Sequence, residues 1–243
     1  MKLTKPQIKL HSQACELLKK ETLTDDDKEF VLDNWQEGAT NINSVSGAFF
    51  TPRGLASDAM IEIQGMGGKI IDLCAGIGGL SYAAKDYNES RDFTCVELNY
   101  DYAEVGRKIM PEANWIVGSI FDLPDDRIYD IAISNPPFGN IKTGRDIDGL
   151  GAFEFATIYK ASKIARYGLF ILPQMSTPFR YSGQSYYTEK IEEKLKRFID
   201  KTGIKFQMNC GIDTSYYLKD WHGVAPICEV VFFDFEDKEG YLF

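Results

Sequence analysis

A chain of 243 residues with 44% apolar side chains suits one large α/β domain, or one domain with a modest appendage, and supplies a full core. A formal net charge of -9 confines any phosphate-binding face to local basic clusters and argues against tight non-specific binding of nucleic acid. No apolar run reaches the roughly 18 residues of a membrane span, the five scattered cysteines form no CxxC pair, and two histidines leave zinc few ligands.

The expectation from these limits is a cytoplasmic protein with reduced thiols, no membrane attachment and no metal. The N-terminus has lysines but neither a long apolar stretch nor a small-residue cleavage site, which points away from export.

Residues 5–20 carry a helical stripe of Ile8, Leu10, Ala14, Cys15, Leu17 and Leu18. Thr24 and Asp27 resemble an N-cap with an acidic third position, opening a helix to about residue 36 that buries Phe30, Val31 and Trp35. Gly38 ends it. Pro52 is placed to begin another helix, over 53–63, which Gly65, Gly67 and Gly68 break. The first 45 residues therefore read as a helical appendage, and residues 46–243 as the main domain.

From Lys69 strands and helices alternate. Strands are expected at 69–74, 93–98, 115–118, 129–134 and 168–172, with helices at 80–87, 100–110 and 153–165 between them. An amphipathic helix over 187–200 carries Ile191, Leu195 and Phe198, and strands at 204–210 and 227–233 close the chain. Several strands are apolar on both faces, the mark of a mostly parallel sheet covered by helices. The last two lack a crossover helix, so an antiparallel edge fits there. The expected fold is a Rossmann-like, seven-stranded, mostly parallel sheet with helices on both faces and one antiparallel edge strand.

Two junctions carry chemistry. The first, Asp72-Leu73-Cys74-Ala75-Gly76-Ile77-Gly78-Gly79-Leu80-Ser81, joins the first strand to its helix. Gly76 and Gly78 allow left-handed backbone and close approach of a ligand, and the helix start offers free N–H groups. Glu97 follows Gly76 by 21 residues, the spacing at which a carboxylate meets ribose hydroxyls. Ser81 stands where the dinucleotide fingerprint has its last glycine. Asp72 would repel a pyrophosphate and attract a cationic amino group, so charge favours an aminoacyl-like nucleoside over NAD. Cys74 reads as packing, with nothing nearby in sequence to activate it.

The second junction is Asn135-Pro136-Pro137-Phe138-Gly139, after the fourth strand. Two prolines stop the strand and stiffen the backbone. They hold an amide, carbonyls and a flat ring at one point, able to accept hydrogen bonds from a planar amine and stack on its face. Between the two junctions lies Gly118-Ser119-Ile120-Phe121-Asp122, at the end of the third strand. There Ser119 or Asp122 can meet the edge of a base and Ile120 its face, while Phe121 is equally well explained as core.

These segments together resemble the Rossmann-like, S-adenosylmethionine-dependent N6-adenine DNA methyltransferases, in the class that includes modification subunits of restriction systems. Asp72 to Ser81, Glu97, Ser119-Ile120 and Asn135 to Phe138 fall in that family's motif order, and Gly47-Ala48-Phe49-Phe50-Thr51-Pro52 resembles its upstream motif. The resemblance runs from Gly47 to Gly139 and weakly through the fifth strand.

It implies S-adenosylmethionine as cofactor. Phe50, Thr51 and Pro52 would close over its methionine end, Asp72 would bind its amino group, and the turn of Cys74, Ala75, Gly76 and Gly78 would pass close beneath. Glu97, followed by Leu98, would hold the ribose, and Ser119 with Ile120 the adenine. The family often has aspartate at the Ser119 position. Asn135 and the Pro136 carbonyl would grip the target amine, with Pro137 stiffening the turn and Phe138 stacking on an adenine flipped out of DNA.

No separate recognition domain is expected after the catalytic one. Specificity would then come from the N-terminal helices, residues 140–151, residues 174–186 with Phe179 and Tyr181, a recognition subunit or a second copy. Methylation of RNA adenine or of a protein glutamine amide, and a non-catalytic cofactor- or DNA-binding subunit, are the competing readings.

Overall fold

The computed structural model describes residues 3–36, 49–87, 92–137, 147 and 149–237. Its main sheet has six strands: β1 (Lys69–Leu73), β2 (Asp92–Glu97), β3 (Asn114–Val117), β4 (Tyr129–Ser134), β5 (Ala165–Pro173) and β8 (Cys228–Asp234), in the order β3-β2-β1-β4-β5-β8. All neighbours are parallel except β5 and β8. The Rossmann-like sheet and its antiparallel edge are as the sequence predicts, with six strands in place of the expected seven.

Consecutive strand residues point to opposite faces. Ile70, Ile131, Ile133, Leu169, Ile171 and Val230 enter one apolar layer, and Ile71, Ala132, Phe170, Leu172, Val231 and Phe233 the other. Strands apolar on both sides need cover on both sides. The first layer receives α1 (Lys5–Leu17), α2 (Asp25–Asn34), α3 (Arg53–Met60), α4 (Gly79–Tyr87) and α5 (Tyr100–Ile109). The second receives α6 (Phe153–Ile164) and α7 (Glu193–Thr202).

Local chemistry sets the helix starts. Thr24 Oγ1 accepts from the Asp27 N–H at 3.2 Å, and Asp27 Oδ2 accepts from the Thr24 N–H at 3.1 Å, closing a capping box. Thr4 and Gln7 build the same box on α1, with a proline in the first turn. Ala14, Val31 and Trp35 carry these two helices into the layer shared with β1. Arg53, the first residue of α3, grips Asp33 of α2 through Nε and Nη2, both at 3.1 Å.

The expected strand at 204–210 is reduced to one antiparallel bridge, Gln207 to Phe232. The side chain of Asn209 intervenes. Its Nδ2 donates to the Val230 carbonyl at 2.9 Å, a bond of the kind a ladder N–H would make. Its Oδ1 accepts from the N–H groups of Gly211 and Ile212, turning the chain away. The expected helix over 187–200 begins only at Glu193, because the stretch before it forms the hairpin β6 (Phe179–Arg180) and β7 (Thr188–Glu189). Leu195 and Phe198 are buried as predicted, and Ile191 is exposed.

The strand order reverses between β1 and β4, the topological switch point where open α/β sheets bind ligands beyond their carboxyl ends. Both motif junctions leave the sheet there.

Candidate active site

The loop after β1 turns sharply. Cys74 has φ +67°, Gly76 +57° and Gly78 +87°. Left-handed backbone is open to glycine and costly for cysteine, so Cys74 is a strained non-glycine residue at the strand's end. The two glycines serve different neighbours. A Cβ on Gly76 would lie 3.1 Å from the Phe50 ring, inside the cleft, whereas one on Gly78 would lie 3.3 Å from Trp115, so there packing adds to the left-handed backbone in favouring glycine.

Glu97 closes over this loop from the end of β2. Its Oε2 accepts from the Gly76 N–H and its Oε1 from the Asn99 N–H, both at 2.8 Å. Each oxygen keeps a further lone pair for a ligand hydroxyl. Burial raises the Glu97 carboxyl above its usual range, and these backbone donors oppose the rise.

Asp72 is buried, one residue before β1 ends. Its Oδ2 accepts from Ser81 Oγ at 2.8 Å. Its Oδ1 is buried without a hydrogen-bond partner. Burial pushes the carboxyl up to about 7 against the pull of Ser81, and the charge of Glu97 adds to the rise.

Asn135 follows β4. Its Nδ2 donates to the Phe49 carbonyl at 3.1 Å and to Thr51 Oγ1 at 2.9 Å. Both amide hydrogens are thereby spent, which fixes the amide's orientation. Oδ1 is left as a second buried acceptor without a partner. The Ser134 hydroxyl bonds the Leu73 carbonyl and ties the end of β4 to that of β1.

One cleft unites Asp72, the glycine turn and Asn135, while Glu97 meets it only through the Gly76 N–H and Leu98, Ser119 and Ile120 do not line it. Phe50, Thr51, Asp72, Cys74, Ala75, Gly76 and Asn135 line it, so the structure brings together residues from three separate motifs. Phe49, Ile77, Gly79 and Leu80, all within the motif segments, complete the lining together with Leu32, which lies outside every motif and was not anticipated. Leu32 shows that α2 walls the cleft. The only signal for it in the sequence is its place three residues before the buried Trp35.

Pro52 caps α3, Pro136 is buried and Pro137 is partly buried. Leu98 is exposed beside Glu97, and Ile120 is buried in the second layer. Ser119 Oγ accepts from the Phe121 N–H at 3.3 Å and caps a short turn, while Phe121 packs edge-on against Phe153. Phe179 is core, and Tyr181 stacks on Tyr187 at 4.2 Å. Phe138, Gly139, Gly47, Ala48 and most of 140–151 lie outside the described residues. Among the described residues no cluster of three His, Cys, Asp or Glu side chains could hold a metal, and no helix is long and apolar enough to cross a membrane.

The unpartnered Asp72 oxygen beside a left-handed glycine turn fits a ligand that brings a cation, as S-adenosylmethionine does, and Asn135 Oδ1 is left for a second hydrogen-bond donor. The comparisons agree. Residues 55–148 match the family model described as the methyltransferase small domain. No curated protein sequence matches the chain.

The chain is similar to a candidate RNA methyltransferase, PH1948, from Pyrococcus horikoshii, at 18% identity and TM-score 0.53 over 87% of this chain and 98% of that one. It is similar to a modification subunit of a candidate type I restriction enzyme from Vibrio vulnificus, at 12% identity and TM-score 0.55 over 89% and 51%, so it spans about half of that subunit's length. A candidate class I S-adenosylmethionine-dependent methyltransferase from Listeria monocytogenes gives 10% identity and TM-score 0.56 over 93% and 72%. Likeness at these identities concerns the fold. The chain has the class I methyltransferase fold, a fold built for S-adenosylmethionine as cofactor.

Proposed function

We propose that the chain transfers a methyl group from S-adenosylmethionine to the exocyclic N6 amine of adenine in DNA. The observation that carries this reading is Asn135 Oδ1. It is an acceptor without a partner, oriented by Phe49 and Thr51, in the same cleft as Asp72 and Gly76.

When bound, S-adenosylmethionine supplies an electrophilic methyl group on a sulfonium. The residues here would hold it by its substituents. Asp72 Oδ1 would take the ammonium, Glu97 the ribose hydroxyls, and Ser119 with Ile120 the adenine, while Phe50, Thr51 and Pro52 would cover the methionine end.

The difficulty in the reaction lies with the acceptor, since the N6 lone pair of adenine is delocalised into its ring. Asn135 Oδ1 and the Pro136 carbonyl accept its two hydrogens and favour a pyramidal nitrogen with its lone pair toward the methyl group. Their dipoles also stabilise positive charge as it develops on nitrogen, and because they are already oriented they need no reorganisation. A stacked base cannot reach a recessed cleft, so the adenine is flipped, and Phe138 repays part of its lost stacking. With a net charge of -9, DNA affinity and site choice rest on a partner subunit or a second copy.

RNA adenine is the second reading. It is favoured by the match to nearly the whole length of the Pyrococcus protein, against half of the restriction subunit. Incubation with methyl-labelled S-adenosylmethionine and, in turn, adenine-containing DNA, RNA and whole-cell protein separates the readings. Label in DNA, mapped to adenine N6, is the expected result. Label confined to RNA or protein rejects the DNA assignment. Cofactor binding without transfer to any of them, with candidate partners present, reduces the chain to a binding subunit.

A further inference from the structure

We infer that Ser81 is a positioning residue for the cofactor. Its hydroxyl holds one carboxylate oxygen of Asp72, presents the other to the ligand's ammonium group, and so sets the pH range over which the cofactor binds. The inference rests on the proposed pairing of Asp72 with that ammonium and is independent of which amine receives the methyl group.

Ser81 occupies the place of the last glycine in the dinucleotide fingerprint, and it is fully buried in the first turns of α4. A buried hydroxyl there needs partners. It has two: Asp72 Oδ2 at 2.8 Å and Cys95 Sγ at 3.3 Å. A hydroxyl has one proton to give. Burial, with the charge of Asp72 behind it, raises the Cys95 thiol well above its usual range, so that group stays protonated and is a donor.

With the Asp72 carboxyl ionised, the bonds run in one direction, from Cys95 S–H to Ser81 Oγ and from Ser81 O–H to Asp72 Oδ2. Asp72 is anchored by one oxygen while Oδ1 remains without a partner in a residue that lines the cleft.

The charged and titratable groups around Asp72 are acidic or neutral. The Glu97 charge raises Asp72 and Cys74, the Asp72 charge raises Cys74 and the Cys95 thiol opposite it on β2, and Glu112 adds to the rise at Cys95. Among the causes that act on the Asp72 carboxyl, those that favour its ionised form are the hydroxyl and the backbone N–H of Ser81. Without a cation the carboxyl ionises near pH 7, and the ammonium needs the ionised form. Binding should therefore release a proton below that pH and strengthen as pH rises through it.

The test measures the affinity of S-adenosylhomocysteine, which keeps the ammonium group and transfers nothing, by calorimetry from pH 5.5 to 8.5. For the unaltered protein, affinity should rise with pH to a plateau. Ser81→Ala should move the inflection upward by about one unit and weaken binding near pH 7 about fivefold, with little loss at pH 8.5. Asp72→Asn should bind weakly at every pH, and adding Ser81→Ala to it should cost nothing more.

A loss from Ser81→Ala that is equal at every pH, or that persists in the Asp72→Asn background, overturns the inference in favour of packing alone. Should Ser81→Ala fail to fold, the Asp72→Asn profile decides, because an inflection that survives in it removes Asp72 as the titrating group. Unchanged affinity in Asp72→Asn refutes the ammonium pairing itself, a failure distinct from that of Ser81.

Discussion

Around β1 and β2, the cleft is built from one strand-turn-helix unit: Asp72, Ala75, Gly76 and Ser81 lie within ten residues, and Glu97 reaches back from the next strand. Around β5 and β8, the same edge of the sheet is held by a carboxylate from far along the chain. Glu229 is fully buried in β8 and accepts from Gln174 Nε2 at 2.7 Å, from the Tyr181 N–H at 2.9 Å, and from the N–H and hydroxyl of Ser182 at 3.1 and 2.9 Å. One side leaves acceptors open for a ligand. The other spends its buried carboxylate on its own loop. Of these two buried carboxylates, Asp72 keeps one oxygen unmatched in the cleft, while Glu229 has both of its oxygens matched by the loop it holds.

Substitutions can separate the two regions. The largest effect is expected from Asn135→Ala, which should lower methyl transfer by about 100- to 1,000-fold, the usual cost of one oriented hydrogen-bonding group at a reacting centre. Cofactor affinity should stay nearly constant. Equal activity in this variant would remove the proposed chemistry, and a parallel loss of cofactor affinity would merge the two halves.

Glu229→Ala should come next. It strands several buried donors and should cost about 3 kcal/mol in a denaturant titration, while S-adenosylhomocysteine affinity below the unfolding range is kept. Affinity lost in proportion to stability would mean that the two regions unfold as one.

The most gradual effect is in pH. The Asp72 carboxyl is raised in the folded state, from 3.8 to about 7, so the native protein holds more protons than the unfolded chain between those values. Its contribution to stability therefore falls as pH rises through that window, by at most about 1.4 kcal/mol per pH unit. Asp72→Asn removes this dependence, so its stability relative to the unaltered protein without cofactor should climb from pH 4 to 7 and then level off. A flat difference would show that Asp72 is not the strained group.

Much of this was legible in the residues. Strands apolar on both faces, broken by glycine and followed by helical stripes, announce a covered parallel sheet, because side-chain periodicity is a local property. The capping box at Thr24 and the turn at Gly76 were readable for the same reason. The hairpin at 179–189 was not. Residues 174–186 read as a loop and 187–189 as the start of the amphipathic helix, and Glu229, 48 residues after Tyr181, is what holds Tyr181 and Ser182 in a hairpin. The lost strand at 204–210 has an equally specific cause, the Asn209 side chain standing in for a ladder bond.

By itself the sequence determined the period of each element, the turns that end them, and the presence of an amide and two carboxylates at strand ends. Tertiary structure alone decided which atoms of those groups are spent and which remain open. Asn135 is oriented by a carbonyl and a hydroxyl that lie 86 and 84 residues before it, and Asp72 by a hydroxyl on the following helix. A hydrogen-bonding atom counts as open only once burial has excluded water and packing has supplied or withheld a partner, and neither is a property of neighbouring residues in the chain.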